Sequence, residues 1–207
     1  MAFVEDVSGK ITSDKSIAIT LLMNIAVLLS AIHFGWDVFT LMLLYWFETA
    51  IIGLFTVVKL IHTAKWISIG IVPFFCFHFG MFMFVHLTFL FVMFGGDTEL
   101  ADLDTFSKVV TAFSIITIPA AGLFGSHLYS FFVNYIGKKE YQTKTFMHFF
   151  AYPYPRVIVM HLTIIFGGFL SMVLSPVFSL ILLSILKTWS DVASHIKMHK
   201  PKVQTNP

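Results

Sequence analysis

Leu186-Lys187-Thr188-Trp189-Ser190-Asp191-Val192-Ala193-Ser194-His195-Ile196-Lys197-Met198-His199 decides how this chain is read. Lys187, Asp191, His195 and His199 stand four residues apart, so a helix sets them in one polar stripe. In a water-soluble protein the stripe would be the solvated face of an amphipathic helix. Here it follows the apolar run Val177 to Leu186, in a chain too hydrophobic for water to be the default partner. Inside a bilayer ionisable groups need partners, so other segments must bring polar side chains to the same depth.

Composition sets the class. Of 207 residues, 57% are hydrophobic and only 12% charged, against about 25% charged in soluble proteins, and the mean hydropathy is +0.87. The chain is expected to be an integral membrane protein, residues 1–207 forming one membrane domain with too little polar sequence for a second, soluble one. Its partner is expected to be membrane lipid and not nucleic acid, and its location a membrane that it crosses several times. Cys76 stands alone, so no intramolecular disulfide can form. Glu5, Asp6, Lys10, Asp14 and Lys15 precede an apolar stretch with no small-residue cleavage site, which predicts an uncleaved first helix.

Six stretches are long enough to span, near 16–34, 37–61, 67–94, 106–136, 155–174 and 176–198. This predicts an all-α bundle of six transmembrane helices. Pro119, with Gly122 and Gly125, could kink or split the fourth. The short connections His33 to Asp37 and Ser175-Pro176 join antiparallel neighbours. Orientation follows from basic residues: with a cytoplasmic N-terminus, all of them except Lys108 fall on or toward the cytoplasmic side, while Asp97 to Asp104 makes an acidic outer loop. Both termini are therefore expected in the cytoplasm.

Depths can then be compared. At about 1.5 Å per residue, Glu48 lies roughly 16 Å above Lys59, and His78 and His127 lie similarly far above the inner ends of their helices. Lys187 joins that layer, with Asp191 and His161 one or two turns nearer the cytoplasm. His86, eight residues past His78, is placed about 12 Å further out and is expected to be a packing residue. A single intramembrane His is usually a hydrogen-bonded packing group, and Glu48 with Lys187 could be an ion pair that only fixes helices. Seven ionisable residues in one half of a small bundle, Glu48, His78, His127, His161, Lys187, Asp191 and His195, point instead to a site.

Imidazole and carboxylate are ligands for zinc, iron or copper, and Asp191 with His195 can chelate from one helix face. The expected metal ligands are thus His78, His127, His161, Asp191 and His195, holding a divalent ion such as zinc or iron. Glu48, Ser126, Ser130 and Asn134 could orient imidazoles through their second nitrogen. Neither HExxH nor CxxC is present.

Tyr45-Trp46-Phe47-Glu48, Phe77-His78-Phe79-Gly80 through His86, Ser126-His127 with Asn134, Pro155-Arg156 through His161 to Gly167-Gly168, and Lys187-Thr188 with Asp191 and His195 together resemble an uncharacterised family of prokaryotic multi-pass membrane proteins, a domain of unknown function. The resemblance covers nearly the whole chain and implies no activity. A weaker architectural likeness is to intramembrane zinc hydrolases of the ceramidase and receptor-like group, which collect His, Asp and Ser from several helices. Those have seven spans and a paired HxxxH where this chain reads Asp191-x-x-x-His195.

The expectation from sequence is an intramembrane metal-dependent enzyme, a hydrolase acting on a lipid or other membrane-associated substrate. Glu48 would act as general base and Lys187 would stabilise a developing anion. Arg156, after Pro153 and Pro155 at the cytoplasmic rim, would meet an anionic head group. Two other readings use the same residues. A haem b cytochrome would ligate through His78 and His127, and a proton-coupled transporter would need no metal.

Overall fold

The computed structural model describes residues 15–94, 103–173, 178, 181–189 and 192, with the side chains of 21–94, 107, 110–166, 178, 181–189 and 192. All regular structure among them is helical: α1 (Lys15–His33), α2 (Val38–Ala64), α3 (Ser68–Phe94), α4 (Leu103–Ser130, continued as a π-helix over Phe131–Gly137), the short α5 (Glu140–Thr143) and α6 (Phe146–Ala151), α7 (Tyr154–Val173) and α8 (181–189). Three helical stretches are long and apolar enough to cross a membrane: Val38–Phe94, which holds both α2 and α3, then Val110–Gly137 and Phe146–Phe166.

The turn after α1 shows local sequence acting directly. Gly35 takes a φ of +62° that side chains resist, which lets Trp36 N donate back to Ala31 O at 2.8 Å and end the helix. Two residues on, Asp37 caps α2 by accepting from Thr40 N at 2.8 Å. α2 and α3 then fold back on each other through a 3₁₀ turn, Lys65–Ile67. Phe39 meets Phe91, Trp46 Nε1 donates to Met83 O, and Gly53 faces Phe79, an antiparallel register. A Cβ on Gly53 would lie 2.4 Å from Phe79 Cε1, so only glycine admits this approach.

The other pairings fix direction. α4 runs parallel to α2, with Phe47 against Phe113, Phe55 against Phe124 and His62 against Tyr135. α8 is also parallel to α2, Tyr45 meeting Ser184 and Glu48 meeting Lys187. α7 is parallel to α3, Phe75 touching Tyr154 and His86 touching His161. α2 is thus the central helix. Its residues Val38 to Tyr45 are all buried, as befits a helix apolar all round, whereas α1, α3 and α4 turn many large apolar side chains outward, among them Leu29, Phe77, Phe84 and Ile118. In a soluble monomer such surfaces would be a liability.

Two boundaries differ from those expected. Pro119 does not split α4, and the irregularity falls later, where the helix widens to π winding before Gly137. The helix expected over 155–174 is α7, Tyr154–Val173, but the apolar helical stretch that contains it already begins at Phe146. Pro153 and Pro155 read as a start signal, but the chain is already helical in α6. Pro153 O accepts from Arg156 N and Val157 N, while Pro155 occupies the first turn of α7, where a missing N–H costs nothing. Arg156 therefore lies ten residues into a spanning stretch instead of at its rim.

Candidate functional site

Glu48 sits in the middle of the central helix and is only 3% exposed. Its Oε2 lies 2.5 Å from Lys187 Nζ of α8, and its Oε1 lies 3.5 Å from both Arg156 NH1 of α7 and His127 Nε2 of α4. Lys187 Nζ also donates to Asn24 Oδ1 of α1 at 2.5 Å and rests 5.0 Å from the Tyr45 ring. One carboxylate on α2 thus meets basic side chains from three other helices, and a fourth, α1, joins through Asn24. Isolated, each of these charges would cost several kcal/mol to bury, on the order of +2.5 to +3.5 kcal/mol on insertion scales. Grouped, they offset one another, and breaking the group by removing one partner is the costly change.

The surroundings are polar as well. Tyr45 Oη and Ser184 Oγ are 3.0 Å apart, and Thr49 Oγ1 donates to Tyr45 O at 2.9 Å. Beside them lies a cleft of about 30 Å³, lined by Tyr45, Glu48, Thr49, Arg156, Thr163 and Lys187 among others. That is room for one or two water-sized groups.

The histidines are distributed, not gathered. His86 Nδ1 donates to Phe82 O at 2.6 Å, since a carbonyl can only accept. Its Nε2 lies 3.2 Å from His161 Nδ1, the two rings standing at 90°. One N–H between these nitrogens links the two rings. His78 Nδ1 bonds Tyr154 Oη at 2.9 Å and stacks on Phe74. Among the described histidines His127 alone joins Glu48, packed near Phe55. Among the described residues no three His, Cys, Asp or Glu side chains converge on a point that could hold a metal ion. The expected ligands His78, His127 and His161 take three separate partners, Tyr154, Glu48 and His86. Asp191 and His195 lie outside the described residues. Asn134 Nδ2 donates to Ser130 Oγ at 3.1 Å, so those two serve each other and not an imidazole.

Arg156 is corrected from the rim to the core: it is 8% exposed and bound to Glu48. His86, expected far from any cluster residue, touches His161. Both changes share one cause, the parallel packing of α7 on α3, which brings Arg156 to the level of Glu48 and His161 to that of His86. Sequence reasoning also missed Asn24 and Tyr45. A lone Asn in an apolar span, and a Tyr three residues before an intramembrane Glu on the same helix face, were available signals.

Fold and cluster define a class: an α-helical protein with helices apolar enough to cross a membrane, organised around one buried carboxylate and its basic partners. A model of the family of unknown function DUF6498 matches residues 8–207, and the chain belongs to that family. No curated protein and no solved structure matches it.

Proposed function

We propose that this is a six-span membrane protein with both termini in the cytoplasm, and that it is a proton-coupled carrier whose switch is Glu48. The observation that carries this reading is the convergence of Lys187, Arg156 and His127, from three different helices, on one buried carboxylate beside a small cleft. In this arrangement the cations hold Glu48 as a carboxylate. Moving α7 or α8 away from α2 removes that compensation, and a carboxylate left in an apolar bundle takes a proton. Proton uptake and helix separation are then one event, which is what a coupled carrier requires.

The metal-hydrolase reading needs several ligands at one point, and the described histidines support it less well. His78 bonds to Tyr154, and His86 and His161 bond to each other, instead of meeting at a common centre.

The test is infrared difference spectroscopy on reconstituted protein after a pH jump. A protonated-carboxyl band is expected in the native protein and absent in Glu48→Gln. If native protein and Glu48→Gln give the same spectrum, the cluster is structural and the carrier reading fails.

A further inference from the structure

His86 and His161, which the carrier reading of Glu48 leaves unused, form a chain with a direction. His86 Nδ1 donates to Phe82 O, so in the neutral ring its Nε2 carries the lone pair and can only accept. His161 Nδ1, 3.2 Å away, must then supply the N–H of that contact. A neutral imidazole holds one N–H, so the lone pair of His161 falls on Nε2. Among the described residues this Nε2 has no partner, and it is not sealed off: His161 is half-buried, whereas His86 is 2% exposed. Polarity thus runs from a fixed carbonyl through two rings to one bare basic nitrogen. An unpartnered polar atom is costly in an apolar bundle, and intramembrane ionisable groups mark sites.

The titratable groups at neighbouring levels are engaged elsewhere. His78 of α3 is bonded to Tyr154 of α7, and Arg156 of α7 to Glu48. On α2, which packs on both helices, Tyr45 and Glu48 belong to the Glu48 group. Among the described residues none of these bonds to the pair, and the ring of Phe89 lies 6.1 Å from that of His161. Protonation at His161 Nε2 forms one new N–H bond from its lone pair, the proton coming from hydronium, and makes the contact to His86 a charge-assisted bond. The shared proton can then sit on either facing nitrogen, which spreads the charge over both rings. A second proton would set two imidazolium ions 3.2 Å apart, and like charges resist that. We propose that His86 and His161 form a second proton-binding site, which takes one proton per pair and takes it at His161 Nε2. Trp46 of α2 meets Met83 of α3, so His86 stands roughly 7 Å from Glu48 along the bundle. The use of the site rests on the carrier reading: a proton held there rides on α7, the helix that also brings Arg156 to Glu48.

The test is long-range proton–nitrogen correlation spectroscopy on detergent-purified full-length protein carrying nitrogen-15 histidine, read from about pH 8 to pH 5. His161→Gln and His86→Gln assign the signals. At the upper end the native pair should show both rings with Nδ1 protonated and both Nε2 bare. On acidification one bare nitrogen should be lost and one kept, shared between the rings. In His161→Gln the amide N–H can donate to His86 Nε2, so the bond survives and proton uptake should be lost. In His86→Gln the amide carbonyl can accept from His161 Nδ1, so uptake of one proton should remain. Two protons or none in the native pair, uptake in His161→Gln, or its loss in folded His86→Gln would each overturn the inference. Should a variant fail to fold, the native count decides by itself. The histidine signals and the carboxyl band of Glu48 are read separately, so either reading can fail without the other.

Discussion

Replacing Glu48 by Gln keeps the shape of the side chain and removes a negative charge that Lys187, Arg156 and His127 share. Truncating one partner of a buried ion pair typically costs about 3–5 kcal/mol, because the other is left uncompensated. Here Glu48 is a shared partner of Lys187 and Arg156, so Glu48→Gln should lie in that range. For a chain of this length it would lower the melting temperature by about 10 °C, at roughly 2–4 °C per kcal/mol. Lys187→Met should cost about half as much, since Glu48 keeps Arg156 and His127 at 3.5 Å. The double variant then decides. With the charge of Glu48 gone, the ammonium of Lys187 is a burden, so the two losses should fall short of additive by about 2 kcal/mol. Thermal unfolding in detergent, followed by size-exclusion of the surviving fraction, measures all four proteins. Strict additivity, or a Glu48→Gln melting temperature within about 2 °C of native, would refute the claim that this carboxylate holds the bundle together.

Gly53→Ala should destabilise by about 1–3 kcal/mol through overpacking, because its Cβ would meet Phe79 at 2.4 Å; Phe79→Leu in the same chain should recover part of the loss, and full stability of Gly53→Ala alone would contradict the α2–α3 register. Reporter fusions after Lys65, Lys144 and Lys202 are expected to face the cytoplasm and one near Thr98 the opposite side; a cytoplasmic Thr98 would reverse the proposed orientation. Elemental analysis of purified native protein is expected to find zinc and iron well below one per chain. A stoichiometric metal lost in His161→Gln and His127→Gln would restore the hydrolase reading against the carrier.

The helices were largely legible because bilayer-length apolar runs and turn residues are strong signals. Gly35 and Asp37 end one helix and begin the next within the turn that the sequence confines to His33 to Asp37. The meeting of Glu48, His127 and Lys187 was legible too, since counting along their helices put the three at one height. What the sequence hides is helix rotation. Depth alone puts His78 level with Glu48, but α3 presents Phe79 to Gly53 of α2, and residue 78, about 100° away around the helix, is carried to Tyr154 instead. Counting along a span gives height and not direction, so a set of residues at one height need not be a set around one point.

The same argument explains why the packing of one helix changed the chemistry of the site. Placing the fifth span at 155 makes Arg156 an interfacial anchor and leaves Glu48 with Lys187 and His127. Packing α7 along α3 from Tyr154 brings a guanidinium into the core. Arg cannot shed its charge as Lys or His can. A site with Glu48 and neutralisable partners could be neutral throughout by proton transfer among its members. With Arg156 present that escape is closed, and at least one counter-charge must stay with it whenever the bundle is shut. The carboxylate can be protonated only when Arg156 has moved or found another anion, which is why α7, entered through Pro153 and Pro155, is the helix whose motion the carrier reading singles out. A cross-link that fixes α7 to α2 should therefore abolish the pH-dependent carboxyl signal of Glu48 while leaving the folded protein intact. Persistence of that signal in the cross-linked protein would show that protonation and helix movement are separate events.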